Sequence, residues 1–258
     1  MLTLIGRHYL LSILCVVLLM PNLWIVWSYL LPDDLAEEAG SSIITLLGSN
    51  LYFRNSQLPG FASLLEREKP DLVLLTEFTP SHQRMLGSLM QDYSFSLERP
   101  RSDGFGIAVY SRLKVADAAV INLGGVNTPQ IQIDVLLPTG REVRLYGVHL
   151  LAPEIPAGLV GRNRQIEELQ QRLQLSSDSP HILLGDFNIT PWSPYFPALF
   201  DGTELVRGDS VASWPVGLGA FGIPIDHCLH TTEFATFERR RGEHIGSDHY
   251  PLLVKLAL

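Results

Sequence analysis

Apolar residues fall into distinct kinds of run along this chain, and each kind predicts a different element. The first is unbroken: "LLSILCVVLLMPNLWIVWSYLL", residues 10–31, is 22 residues without a charged side chain. As a helix, that length spans roughly 33 Å, enough to cross the hydrocarbon core of a bilayer. Trp24, Trp27 and Tyr29 gather toward its far end, where an aromatic belt sits. The run is longer than the apolar part of a signal peptide, and no small-x-small cleavage site follows it. It is therefore expected to be an uncleaved transmembrane anchor, weakened or kinked at Pro21 and Asn22. Arg7 precedes it, and Asp33, Asp34, Glu37 and Glu38 follow it, which keeps the N-terminus inside and sends the rest across. Residues 1–9 are then a short tail and residues 32–42 an acidic linker.

Beyond the linker the runs shorten. "IITLL" (43–47) and "DLVLL" (71–75) are continuous enough to be strands buried on both faces, as is "GFGIAVYS". "QIQIDVLL" (130–137) alternates polar with apolar, the mark of a strand with one wet face. "PTG" turns it into "REVRLYGVHLL", so the pair is expected to form an antiparallel hairpin. Helices are predicted near residues 58–67 and 81–90. "NRQIEELQQRLQL" is a third, with Ile166, Leu169 and Leu173 on one face. "IDHCLH", "FATFER" and "PLLVKLAL" supply later strands. With no second linker, repeat or low-complexity tract between residues 43 and 258, one domain of two sheets flanked by helices is expected.

Composition changes this picture little. The formal net charge of -8 removes any general pull on nucleic acid, though it leaves room for a nuclease with a local phosphate site. Arg239, Arg240 and Arg241 form the only basic run and read best as solvated charge. Cys15 lies inside the anchor and Cys228 far from it, so no disulfide framework is expected.

The chemistry lies at the strand ends. In "HILLGDFNITPWSP" the apolar run of Ile182, Leu183 and Leu184 ends on Asp186 and Asn188. Alternation puts those two on one face and Phe187 on the other, in the core. Pro191 and Pro194 bar further pairing. Alone, the motif could be a turn in which Asp and Asn bond nearby backbone. The same placement recurs, however: Asn50 and Glu77 follow the first two strands, His149 ends the hairpin, Asp226 begins a strand, and Asp248 and His249 precede the last one. Strand ends of a layered fold meet at one rim, and so many acids repel unless a cation or shared protons offset them. Hard oxygen donors suit Mg2+ or Mn2+; there is no thiolate cluster and no His-Glu-x-x-His spacing for zinc. A metal, an imidazole and an amide together suit hydrolysis of phosphate esters.

The ordered set "SNLYFRN", "PDLVLLTEF", "GFGIAVYSR", "YGVHLLAP", "RNRQIEEL", "GDFNITPWSP", "PIDHCL" and "GSDHYPLLVKL" resembles the endonuclease/exonuclease/phosphatase superfamily, over nearly all of residues 43–258. Together with the apolar N-terminus it looks most like bacterial membrane-associated members of the YafD type. The resemblance implies a four-layer α/β/β/α sandwich of two mixed, mainly antiparallel sheets, on the periplasmic side of a bacterial inner membrane. It implies metal ligation by Glu77 and Asp248, with Asn50 in support. It gives Asp186 the attacking water, Asn188 a phosphate oxygen, and His249 the scissile phosphate, with Asp226 orienting and charging that histidine. His149 matches a second acid/base that also touches phosphate. Two departures stand out: Thr76 replaces a frequent glutamine before Glu77, and no glutamate partner for His149 can be assigned. The implied substrate is a phosphoester, whether nucleic acid, lipid headgroup (with Trp192 and Trp214 as rim candidates) or small molecule. No obligate protein partner follows. The rival expectation is a catalytically inactive membrane-tethered binding module, which should have lost some of Glu77, Asp186, Asn188, Asp248 or His249; none is missing.

Overall fold

A computed structural model describes residues 2–29, 43–176, 179–206, 208 and 210–257. The linker expected over 32–42 lies outside the described residues. In chain order the elements are α1 (Leu2–Ser28), β1 (Ile43–Asn50), α2 (Pro59–Glu68), β2 (Leu72–Thr76), α3 (Pro80–Leu86), β3 (Phe95–Arg99), β4 (Ile107–Ser111), β5 (Lys114–Asn122), β6 (Pro129–Leu136), β7 (Glu142–His149), α4 (Pro156–Leu175), β8 (His181–Asp186), β9 (Leu205–Val206), β10 (Asp226–Thr231), β11 (Ala235–Arg241) and β12 (Leu252–Ala257). One six-stranded sheet runs β11-β12-β1-β2-β4-β3 and the other β5-β6-β7-β8-β10-β9. β1 with β2, and β7 with β8, are parallel; the remaining neighbours are antiparallel.

Period-two alternation decides the layers. Leu72 and Leu74, Val143 and Leu145, Ile182 and Leu184, and Leu252, Val254 and Leu256 all face inward and form one core between the sheets. The opposite faces carry Leu47, Val73, Leu75 and Leu253, packed under Phe61, Leu64 and Leu65 of α2 and Leu86 of α3. On the other sheet Tyr146, Val148, Leu183 and Leu229 pack under Ile166, Leu169 and Leu173 of α4. Helices therefore cover both outer faces of an α/β sandwich. The sheets approach closely toward one end: a Cβ on Gly147 would lie 2.3 Å from Leu74 Cδ1. A larger residue there would push the two sheets apart just below the polar rim.

The predicted hairpin is present, with Leu136 opposite Glu142. Three strands were not predicted. β3, β5 and β9 are partly exposed edge strands without an apolar run to mark them. α3 stops at Leu86 rather than residue 90, and α4 starts at Pro156, ahead of Asn163, with the proline at its first turn. At the N-terminus, the helix begins at Leu2, so the expected tail is helical, and it runs through Pro21 to Ser28. Among the described residues no helix is long and apolar enough to cross a membrane, which corrects the spanning segment expected over 10–31. What is described is an uncharged run from Leu11 to Trp27, almost all of it exposed.

Two buried histidines make stability depend on pH. Burial, reinforced by the nearby Arg144 charge, lowers His181 to about 4. Burial likewise lowers His227 to about 4, against the hydrogen bond its ring makes with the Ile189 carbonyl. Both are neutral in the fold and protonate near 6.5 once unfolded. The contribution of these two histidines is therefore complete above pH 6.5 and falls as pH drops toward 4, by about 1.4 kcal/mol per pH unit per histidine. Urea midpoints measured from pH 7.5 to 4.5 should show this decline, and His181→Gln should flatten it; a decline unaltered by His181→Gln would remove His181 from the explanation.

Candidate active site

The inner-face rows that build the core end in polar residues. Leu46 and Gly48 lead to Asn50; Leu145 and Gly147 lead to His149; Ile182 and Leu184 lead to Asp186; Cys228 is preceded on its row by Asp226. Strand register then places them side by side. His149 pairs with Asp186 across the parallel β7–β8 ladder, and Asp226 pairs with Asp186 across β8–β10. In the facing sheet Asn50 pairs with Thr76, the residue before Glu77. The loop into β12 brings Asp248 and His249 to the same rim.

The contacts confirm the convergence. Asn50 Nδ2 donates to Glu77 Oε1 and to Asp186 Oδ2, both at 3.0 Å, so one amide bridges the two sheets. Glu77 Oε2 accepts from the Phe53 backbone N–H at 2.8 Å. His249 Nδ1 lies 2.7 Å from Asp226 Oδ2, and its Nε2 is 3.9 Å from Asp186 Oδ2. His149 Nε2 is 3.8 Å from the same oxygen. Asp186, Asp226 and both histidines are buried.

Charge follows from these distances. Burial lowers the His249 pKa, but Asp226, with Asp186 and Asp248 behind it, outweighs burial and raises it to about 10, so the ring is an imidazolium at neutral pH. Asp186 is raised above the ordinary carboxylate range, first by burial and then by the Asp226 charge, against the two histidines and the Asn188 N–H.

Several buried polar atoms lack protein partners: His149 Nδ1, Thr76 Oγ1 and Asp248 Oδ1. An unpaired carboxylate oxygen in a buried setting is costly, and a cation relieves that cost. The donors within reach are carboxylate oxygens, which fits Mg2+ or Mn2+. Among the described residues the acid–histidine group that could hold a metal is Asp186, Asp226 and His249, with ligand atoms within 4.8 Å of one another, rather than the expected Glu77, Asp248 and Asn50. That trio is already joined by the Asp226–His249 bond, and a protonated imidazole cannot ligate. Glu77 and the free oxygen of Asp248 are further carboxylate donors at the same rim. Asn50 turns its N–H groups to the carboxylates, while its oxygen accepts from the Tyr52 N–H.

The expectation for Asn188 needs correction. Strand β8 ends at Asp186, and Asn188 has φ 49°, in the left-handed region, so alternation stops and the pair does not simply share a strand face. Instead the Asn188 N–H donates to Asp186 Oδ1 at 2.9 Å, the local turn bond, and its side-chain amide donates to the Leu150 carbonyl. Phe187 is buried in the core as expected. Glu77 also takes a positive φ, 53°, a strain that gathers at functional sites.

Sequence reasoning missed Gln130, Ser213 and Ser247, and it raised Trp214 only as a rim candidate for a lipid headgroup. Gln130 brackets the His149 backbone, accepting from its N–H and donating to its carbonyl at 2.9 Å. It steadies the backbone of the residue for which no glutamate could be assigned. Trp214 Nε1 donates to Asp248 Oδ2 at 3.2 Å. Ser213 accepts from the Asp226 N–H, and Ser247 from the His249 N–H. The one available signal was position: Ser247 abuts the Asp-His pair, and Gln130 opens an alternating strand. Trp192, the other rim candidate, makes no such contact among the described residues. The arginine run is spent on structure, with Arg240 paired to Glu68 and Glu238, and Arg241 over the Tyr250 ring.

Residues 47–249 match the sequence model of the Endonuclease/Exonuclease/phosphatase family. No curated protein matches the sequence significantly. Solved structures share the fold at low identity. TDP2 of D. rerio, complexed with single strand DNA product, has a TM-score of 0.69 at 16% identity, over 84% of this chain and 100% of that one. The human Nocturnin catalytic domain with bound sulfate has a TM-score of 0.64 at 19% identity, over 83% and 94%. The mannosyl-6-phosphatase Bt3783 of Bacteroides thetaiotaomicron has a TM-score of 0.63 at 15% identity, over 83% and 100%.

Proposed function

The chain belongs to the endonuclease/exonuclease/phosphatase family, whose enzymes are metal-dependent phosphoric ester hydrolases, and on that premise we propose that it cleaves a phosphoester by in-line attack of water. The observation that carries the reading is the buried Asp226–His249 pair, 2.7 Å apart, facing Asp186 across the rim. In this reading Asp186, with its raised pKa, orients the attacking water and accepts its proton. His249, held charged by Asp226, binds the scissile phosphate and steadies the charge that develops on it. His149 faces Asp186 and turns an unpartnered Nδ1 into the same buried setting, a second group able to move a proton. The Asn188 amide, fixed by Leu150 and Asp186, lies within the same turn and supplies a donor to a phosphate oxygen. A magnesium or manganese ion held by Glu77 and Asp248 would offset phosphate charge and polarise a phosphoryl oxygen. The rim serines Ser213 and Ser247 accept from the backbone N–H groups of Asp226 and His249, and among the described residues neither hydroxyl is bonded to a carboxylate or imidazole there, which supports direct attack by water over a covalent intermediate.

The test is a panel of plasmid DNA, phosphatidyl lipids, and small phosphomonoesters and phosphodiesters, each with Mg2+, Mn2+ or chelator. Metal-dependent hydrolysis of at least one class is expected. No turnover in any arm by folded protein would favour the inactive binding module.

We also propose that the chain is held at a membrane, the bacterial inner membrane with the domain on its periplasmic side. Support comes from the uncharged side chains of Leu11 to Trp27, almost all of them exposed. The full chain is expected in the membrane fraction after a high-salt wash; release by salt alone would reject the anchor.

A further inference from the structure

Helix α4 sends two buried polar side chains toward the rim. Arg162 and Gln165, three residues apart and so on one helix face, are 5% and 0% exposed. The Arg162 guanidinium donates through Nη1 to the Asn188 carbonyl at 2.7 Å and through Nη2 to Asn163 Oδ1 at 3.3 Å. Its Nε has no partner, and among the described residues no carboxylate pairs with it. Gln165 accepts from the Leu151 N–H at 2.9 Å and donates to Thr128 Oγ1 at 2.9 Å. The Asn188 and Leu151 contacts fall on the two loops that follow Asp186 and His149. The loops are tied to each other as well: the Leu150 N–H donates to the Asp186 carbonyl, and the Asn188 amide donates to the Leu150 carbonyl, each at 2.9 Å.

We propose that Arg162 and Gln165 are a positioning pair for the reaction, fixing from α4 the backbone of the loops that directly follow His149 and Asp186. The inference rests on the reading of those two residues as catalytic. Asparagine tolerates a left-handed backbone better than other residues with a side chain, and Asn188 takes one, with φ 49°. Arg162 grips its carbonyl in that conformation, and from it the Asn188 N–H reaches Asp186 Oδ1. A buried cation without a counter-ion is a poor stabiliser of a fold. Here it adds positive potential to a rim crowded with carboxylates and meant for an anionic phosphate. A planar guanidinium serves two acceptors at fixed angles; an ammonium does not.

The test uses the full chain with Arg162→Met, Arg162→Lys and Gln165→Leu, read by amide hydrogen exchange and by steady-state kinetics. In Arg162→Met the Asn188 amide, and in Gln165→Leu the Leu151 amide, should lose protection by about tenfold or more, while the interiors of β7 and β8 keep theirs. For whichever phosphoester the parent cleaves, kcat should fall about ten- to a hundredfold, the scale of a misplaced catalytic group. KM should stay within about threefold, because what is lost is alignment rather than binding. Arg162→Lys should recover part of kcat, and it carries the test alone if Arg162→Met does not fold. Unchanged exchange at these amides, or protection lost evenly through the domain, would overturn the positioning role. A parent without hydrolysis would count against the proposed function, and the exchange data would still judge the contacts.

Discussion

Changing Asp186 to asparagine, or His249 to alanine, is expected to lower turnover by about two orders of magnitude or more, the loss typical of one acid/base or charge-stabilising group. Asparagine keeps the shape of Asp186 but cannot accept a proton from water. It should preserve the bond from the Asn188 N–H, so the loop stays in place and the loss reports chemistry. Alanine at His249 removes the imidazolium and leaves Asp226 and Asp186 buried without the charge that offsets them. That variant should also lose stability, and its kcat must be taken on the folded fraction by circular dichroism. Asp226→Asn is the instructive intermediate. It keeps the ring but removes the charge that most raises its pKa, so His249 should titrate below about 10. The alkaline limb of the rate profile should move to lower pH, with a smaller loss at pH 6 than at pH 8. Hydrolysis in 18O water should place one labelled oxygen on the phosphate product in a single turnover. Activity in His249→Ala within tenfold of the parent would put the catalytic centre elsewhere.

Glu77→Gln is expected to weaken Mg2+ or Mn2+ binding by about a hundredfold, because a hard cation held by few carboxylates loses much of its attraction with one charge. Asp248→Asn should do nearly the same. Its Oδ1 is buried without a hydrogen-bond partner while Trp214 holds the other oxygen, which leaves a donor in want of a cation. Titration calorimetry of the parent and three variants separates this arrangement from the tighter group of Asp186, Asp226 and His249. If the metal sits with Glu77 and Asp248, Asp226→Asn binds it within a few fold of the parent. If binding survives Glu77→Gln and vanishes in Asp226→Asn, the metal belongs to the trio and the assignment fails. Thermal midpoints give a second reading, since a ligand at about a hundred times its Kd adds about 2.7 kcal/mol of stability.

The amino-acid sequence determined the parts whose physics is local. Continuous apolar runs marked β1, β2, β4 and β8, a threonine-glycine turn between alternating runs marked the β6–β7 hairpin, and apolar spacing marked α4. It also named the carboxylates and histidines now found at the rim, though not Gln130, Ser213 or Ser247, because each ends or begins a run that has to be buried: polarity cannot persist inside a strand core, so a carboxylate or imidazole on an inner row must lie where the sheet stops. Edge strands β3 and β5 were not legible, since strands half open to solvent carry no apolar signal. Only tertiary structure decided which rim residues touch. One parallel ladder and one antiparallel ladder set His149 and Asp226 beside Asp186, and the face-to-face packing of the sheets carried Asn50 across to it. It decided that Asp226 pairs with His249, that Gln130 and Arg162 reach backbone from afar, and that Asn188 leaves the strand face for a left-handed turn. These are contacts between residues distant in the chain, set by register and sheet spacing. No window of local sequence encodes them, because the same local pattern is compatible with many registers until the whole core is packed.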